Sequence, residues 1–148
     1  MKCLYPCSLC TTSIDCLSCV NGVLYQARCI AGCPDSTFMV SLGIGNVCVD
    51  CAGLCVTCKT SATNCTSCIT GYYLISALYQ CVSTCPDGTY PLQITKSCLS
   101  CPETCSKCAN SSYCTACISG KTYLNSALHS CVEYCPTGTY GNSLSNIC

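Results

Sequence analysis

The chain writes nearly the same six residues three times: CPDSTF at Cys33–Phe38, CPDGTY at Cys85–Tyr90 and CPTGTY at Cys135–Tyr140. The starting positions, 33, 85 and 135, recur at a near-constant interval. Proline fixes φ, the Asp-Gly or Thr-Gly pair makes a turn, and Thr-Tyr predicts the start of a strand. Repeated at one place in a longer pattern, the phrase reads as the turn that opens the last hairpin of each unit. It carries no chemistry of its own.

The cysteines around it set the pattern. Block one holds Cys3, Cys7, Cys10, Cys16, Cys19, Cys29, Cys33 and Cys48. Block two holds Cys51, Cys55, Cys58, Cys65, Cys68, Cys81, Cys85 and Cys98. Block three holds Cys101, Cys105, Cys108, Cys114, Cys117, Cys131, Cys135 and Cys148. Each follows C-x3-C-x2-C-x(5–6)-C-x2-C-x(9–13)-C-x3-C-P-x(11–13)-C, with Val49-Asp50 and Leu99-Ser100 as the two-residue joints. Self-similarity at a fixed period predicts an array of modules, here 1–50, 51–100 and 101–148. The dense first half of each block, cysteines set among Ser, Thr and Ala, reads as irregular turns. The second half reads as hairpins: Gly71-Tyr72-Tyr73-Leu74-Ile75 turns at Ser76-Ala77, and Thr122-Tyr123-Leu124 turns at Asn125-Ser126. The recurring aromatic, Phe38, Tyr90 or Tyr140, is expected to pack over a neighbouring disulfide.

Composition points the same way. There are 24 cysteines in 148 residues, far above the roughly 8–10% that marks a disulfide scaffold. The hydrophobic fraction of 50% and the mean hydropathy of +0.43 come mainly from cysteine; without it the average is roughly zero. One conventional core cannot be built from so few aliphatic side chains, whereas small cross-linked units can. Reducing compartments keep thiols free, so the chain is expected outside the cell, secreted or at the cell surface. Met1 and Lys2 run straight into Cys3 with no export signal, and the chain stops on Cys148; a fragment or processed form is the expectation. No apolar run approaches the roughly 20 residues needed to cross a bilayer.

Charge is sparse and scattered, six Lys and Arg against six Asp and Glu. No basic cluster is present to meet phosphates, so nucleic acid is not an expected partner. Pairs such as Cys16/Cys19, Cys55/Cys58, Cys65/Cys68, Cys105/Cys108 and Cys114/Cys117 have zinc-ribbon spacing. The same spacing arises where two disulfide units abut, and the chain has a single histidine, His129. Neither a metal, nor a cofactor, nor thiol redox chemistry is expected. One histidine with no placed nucleophile makes no triad, and the chain is expected not to be an enzyme. His129 stands in for a glutamine of block two and reads as a hairpin surface residue. Asn64-Cys65-Thr66 and Asn110-Ser111-Ser112 are N-glycosylation sequons in the same loop of blocks two and three.

Taken with the G-x-Y-L and C-P-x-G-T-Y phrases, the spacing resembles the furin-like cysteine-rich repeat of growth-factor receptors, R-spondins and proprotein convertases. The low charge and high Ser and Thr content resemble most the multi-repeat surface proteins of ciliates and other protists. The resemblance covers the whole chain in three copies. It implies a pairing of first to third, second to fourth, fifth to sixth and seventh to eighth cysteine within each block. It also implies a small disulfide-rich fold: three tandem modules of short β-hairpins and irregular turns, little or no helix, extended into a rod. The expected role is a structural segment of a surface coat or filament, with copies of itself or adjoining repeats as partners. The alternative is a protein-binding module centred on block one, where Arg28, Phe38 and Met39 depart from the other blocks.

Overall fold

The computed structural model describes residues 2–120 and 122–148. These form no helix. They form sixteen short strands in small sheets, tied by twelve disulfides. The strands of the first block are β1 (Cys7–Cys10), β2 (Cys16–Cys19), β3 (Val23–Tyr25), β4 (Arg28–Ile30), β5 (Thr37–Leu42) and β6 (Gly45–Asp50). Those of the second are β7 (Cys55–Cys58), β8 (Cys65–Cys68), β9 (Tyr73–Ile75), β10 (Gln80–Val82), β11 (Thr89–Leu92) and β12 (Ser97–Ser100). The third has β13 (Cys105–Asn110), β14 (Tyr113–Cys117), β15 (Tyr123–Asn125) and β16 (Ser130–Val132).

Contacts divide the chain into two compact units, Met1–Thr70 with Ala77–Cys81, and Gly71–Ser76 with Val82–Cys148. The first unit holds the β1–β2 and β7–β8 hairpins and a sheet in the order β4-β3-β6-β5. In that sheet the β5–β6 hairpin runs from Thr37↔Asp50 to Leu42↔Gly45. The second unit holds β9, β12 and β11 side by side, and the β13–β14 and β15–β16 hairpins.

The dense first halves are not irregular turns. Each closes into a two-stranded ladder in which cysteines face each other, Cys55↔Cys68 and Cys58↔Cys65 in one case, with a bulge between. Ser and Thr supply little strand propensity. The ladder is instead held by the cross-links at its ends and by hydroxyl bridges across it, such as Thr57 to Ser67 and Ser8 to Ser18.

Two backbone contacts, absent from the cysteine pattern, recur. First, the residue two before the sixth cysteine offers its carbonyl to the fourth cysteine's N–H: Ala27 to Cys16, Tyr79 to Cys65 and His129 to Cys114, at 2.8–2.9 Å. All three acceptor residues take positive φ, 60°, 53° and 49°. His129 therefore matches Tyr79 rather than Gln80. It is half-buried and stacked on Tyr113, with ring centroids 3.7 Å apart, not simply a surface residue. Second, the middle of each first-hairpin strand meets the last loop in parallel: Leu24↔Val47, Leu74↔Ser97 and the bridge Leu124↔Ile147.

The quoted turn has the same bonding in all three places. The proline carbonyl accepts both the N–H and the hydroxyl of the threonine three residues on: Pro34 from Thr37, Pro86 from Thr89, Pro136 from Thr139. The residue before that threonine takes positive φ: Ser36 at 66°, Gly88 at 80°, Gly138 at 90°. Glycine enters that region freely, while serine is strained there. In blocks one and two a strand follows, as expected. In block three no strand forms beyond Thr139; only the bridge Asn142↔Ile147 remains. There Gly141 lies so close to the Tyr123 ring that a Cβ would sit 2.5 Å from it.

Little of the core is aliphatic. Of the buried apolar residues, Val23 and Tyr90 stand beside eight cysteines: Cys16, Cys55, Cys58, Cys65, Cys68, Cys105, Cys114 and Cys117. Among the described residues the one buried polar residue, Asn125, has its Oδ1 filled by the N–H groups of Ala127 and Leu128. At the end of the first unit's sheet, the Tyr25 hydroxyl donates to the Asp50 carboxylate at 2.9 Å. That hydrogen bond first, then partial burial and the carboxylate's charge, hold the tyrosine above its ordinary range.

Two outcomes follow for stability. Gly88→Ala should cost roughly 1 kcal/mol through backbone strain alone, since the space beside Gly88 is open, and Ser36→Gly should raise the melting temperature. Equal melting of Gly88→Ala and the parent would contradict this reading of the turn. Because Tyr25 holds its proton more tightly when folded, its contribution is complete below about pH 10 and is lost as pH climbs through the raised folded value. In Asp50→Asn, an NMR titration of the Tyr25 ring carbons should shift to lower pH; an unchanged titration would count against the pair.

Candidate functional site

No catalytic constellation is assembled among the described residues, so the site to be built is the disulfide frame and the surfaces it holds. In every block the structure joins the first cysteine to the third, the second to the fourth, the fifth to the sixth and the seventh to the eighth. Block two has Cys51–Cys58, Cys55–Cys65, Cys68–Cys81 and Cys85–Cys98. Block one has Cys3–Cys10, Cys7–Cys16, Cys19–Cys29 and Cys33–Cys48. Block three has Cys101–Cys108, Cys105–Cys114, Cys117–Cys131 and Cys135–Cys148. Cα separations run from 4.9 to 5.7 Å, inside the range a disulfide requires. The bonds enclose sequence separations of 7 to 15 residues. By loop-closure entropy each contributes about 2.5–3 kcal/mol.

This accounts for the sulfur of all 24 cysteines. Two tight clusters, Cys7 with Cys16 and Cys29, and Cys105 with Cys114 and Cys131, bring sulfurs within 4.8 Å of one another. Each is a disulfide lying against a member of the next one. A zinc ligand must be a thiolate, and a sulfur already bonded to sulfur is not one.

The two sequon asparagines sit differently. Asn110 is exposed and closes the β13–β14 hairpin opposite Tyr113. Its Oδ1 accepts the Ser112 N–H at 2.9 Å, so the sequon itself forms the tip. Asn64 is half-buried, and its Nδ2 donates to the Thr60 hydroxyl at 3.2 Å. The next residue, Cys65, is 4% exposed and bonded to Cys55.

Block one's distinctive residues do not converge. Arg28 lines a shallow depression of about 340 Å³ with Leu4, Tyr5, Ile14 and Asp15. Phe38 and Met39, adjacent on β5, point to opposite faces of its sheet and lie outside that depression.

The block joints were not legible as a site in the sequence. At both, the carbonyl of the turn's positive-φ residue accepts the N–H of the next block's first cysteine, Ser36 from Cys51 and Gly88 from Cys101, each at 2.8 Å. At the second joint Gly88 N–H also donates to the Ser106 carbonyl at 2.9 Å, and Lys107 pairs with Asp87 at 3.0 Å. The signal available was the phrase itself, with its fixed distance to the next cysteine.

No protein-family model matches the chain. It is 35% identical over 86 residues to cysteine repeat modular protein 2 of Tetrahymena thermophila, covering 53% of this chain and 4% of that protein. Against cysteine repeat modular protein 1 of the same organism it is 35% identical over 124 residues, covering 63% of this chain and 5% of that one. Human proprotein convertase subtilisin/kexin type 5 is 54% identical over 41 residues, 28% of this chain and 2% of that protein. The chain thus spans a twentieth or less of the curated relatives it matches. Twelve disulfides and this kinship mark it as an extracellular or secreted protein. The chain is a small disulfide-rich β-hairpin protein whose homologues include the cysteine repeat modular proteins of Tetrahymena thermophila and the human convertase.

Proposed function

We propose that this chain is a structural protein of the cell surface or extracellular matrix, a run of three cysteine-rich modules forming a rod-like stretch of a repetitive coat or filament. It performs no catalysis. The observation that carries this reading is the joint: at both boundaries the carbonyl of the same turn residue accepts the N–H of the next block's first cysteine, Ser36 from Cys51 and Gly88 from Cys101. A geometry that repeats from block to block is what a structural array needs, whereas a ligand site needs one block unlike its neighbours. Electron microscopy of native material labelled for this chain is the test. Ordered filaments or a coat with a regular repeat support the reading; dispersed particles carrying one tight ligand overturn it.

The depression beside Arg28 favours a second reading, a protein-binding module in block one, because an arginine among exposed Leu4, Tyr5 and Ile14 has the composition of an interface anchor. Partner capture that survives Arg28→Ala and Tyr5→Ala unchanged would remove it.

A surface role fits N-glycosylation at the exposed Asn110, whereas the half-buried setting of Asn64 beside the disulfide-bonded Cys65 disfavours it there. Produced through a secretory pathway, the protein should carry glycan on the Asn110 peptide and little on the Asn64 peptide, read by glycopeptide mass spectrometry. A glycan on Asn64 with Asn110 bare would contradict this.

A further inference from the structure

β5 is the outermost strand of the first unit's sheet, and its free side carries unpaired backbone groups. In an antiparallel pair, alternate residues turn their N–H and C=O toward the partner strand and the others turn them away. The Cys51 N–H bonded to the Ser36 carbonyl fixes the phase. Phe38, Val40 and Leu42 therefore bond across to β6, while Thr37, Met39 and Ser41 point their backbone groups outward. The Thr37 N–H is taken by Pro34. Among the described residues nothing bonds the outward N–H or carbonyl of Met39 or Ser41. Both residues are exposed, Met39 at 56%. Native proteins usually close such an edge with charge or proline, yet no residue from Ser36 to Val49 is charged. Block two does close it. There the Cys101 bond to Gly88 sets the same phase, and the outward residues of β11 are Thr89, whose N–H Pro86 holds, and Pro91, which has none. Block two has a block on either side and β11 is still an edge strand, so adjoining blocks do not fill this place.

We propose that β5 is a self-association strand: two copies of this chain pair antiparallel, edge to edge, with Val40 on the two-fold axis. The inference deepens the structural role proposed above by naming a lateral contact between copies, and the place of that contact in an array rests on that reading. The edge is complementary to itself in this register. The Met39 N–H of one copy donates to the Ser41 carbonyl of the other, the Ser41 N–H donates to the Met39 carbonyl, and the symmetry doubles the set. Every free backbone group of Met39 and Ser41 thus finds a partner. The side chains match as well. On one face Phe38 meets Leu42 of the second copy and Val40 meets Val40; on the other Met39 meets Ser41, whose hydroxyl its own Asn46 already holds at 2.8 Å. Leu42, 51% exposed in the single chain, gains an apolar neighbour, and no like charges are brought together. The same patch serves both copies, so the contact is isologous and closes as a dimer. It is small, and association is weak, with a dissociation constant roughly in the tenth-millimolar to millimolar range.

The test uses the whole oxidised chain. Sedimentation velocity and amide spectra are recorded across about 10 µM to about 1 mM, the window that a small interface sets. A monomer–dimer equilibrium should appear with concentration, with the largest amide shifts at Met39 and Ser41. Met39→Pro copies the residue that stands at this place in β11, so the strand should still form, and association should weaken roughly tenfold or more through the lost N–H. Met39→Ala keeps the N–H and should keep most of the association. In a mixture of isotope-labelled and unlabelled parent chain, the Val40 Hα atoms of two copies should give a direct contact, because opposed residues between bonded pairs approach most closely. That contact decides the matter even where Met39→Pro does not fold. A chain monomeric throughout the range, which leaves the edge to solvent or to a strand of another protein, would overturn the proposal. So would shifts centred elsewhere, a folded Met39→Pro that associates as the parent does, or a dimer without the Val40 contact. Ordered native filaments seen alongside any of those results would leave the structural role standing and remove only this contact. Dispersed native particles together with the β5 dimer would remove that role and keep the pairing.

Discussion

Everything in this molecule depends on the disulfide taking the place of the hydrophobic core. Ordering a residue costs about 1–2 kcal/mol of backbone entropy, and a normal domain offsets that by burying aliphatic and aromatic side chains. Here, among the described residues, Val23 and Tyr90 are the only aliphatic or aromatic side chains that join the cysteines in the interior. Cross-links instead lower the entropy of the unfolded chain before folding begins. Short spans suit this arrangement: every bond stays inside its own block, so no disulfide asks a distant segment to be found first.

The price of so thin an interior is that backbone geometry must be specified locally, and it is. A non-glycine residue at positive φ recurs two places before the sixth cysteine, although alanine, tyrosine and histidine have no intrinsic liking for that region. It persists because the carbonyl it presents satisfies the N–H of a buried or nearly buried cysteine in the neighbouring hairpin. Those N–H groups sit beside disulfides and cannot reach water, so leaving them unpaired costs about 1–3 kcal/mol each. The parallel contacts at Leu24, Leu74 and Leu124 serve the same end, joining the two loops of each block where no side-chain core does so.

Much of this was legible in the sequence. Cysteine number and spacing led to a disulfide-rich, helix-free fold of short hairpins, and the Pro-x-Gly-Thr phrase led to a turn whose bonds the structure repeats three times. Other features were hidden for physical reasons. The ladders of the dense halves have no apolar alternation to announce them, since the cross-links rather than the side chains set their register. In block three the turn opens no second ladder, and Gly141 instead lies against the Tyr123 ring, a close approach that local propensity does not encode. His129 seemed an exposed substitution, but its stack on Tyr113 and its carbonyl bond to Cys114 depend on contacts across a block. The joint escaped notice because its partners are backbone groups, which leave no residue signature.

The most direct measurement is calorimetry of the chain before and after complete reduction at neutral pH, with thiols capped to prevent reoxidation. If disulfides stand in for the core, the oxidised chain gives heat-capacity peaks and the reduced, capped chain gives none, with its amide spectrum collapsed to that of an unfolded chain. A cooperative transition surviving in the capped chain would show that noncovalent packing suffices, and would contradict the account.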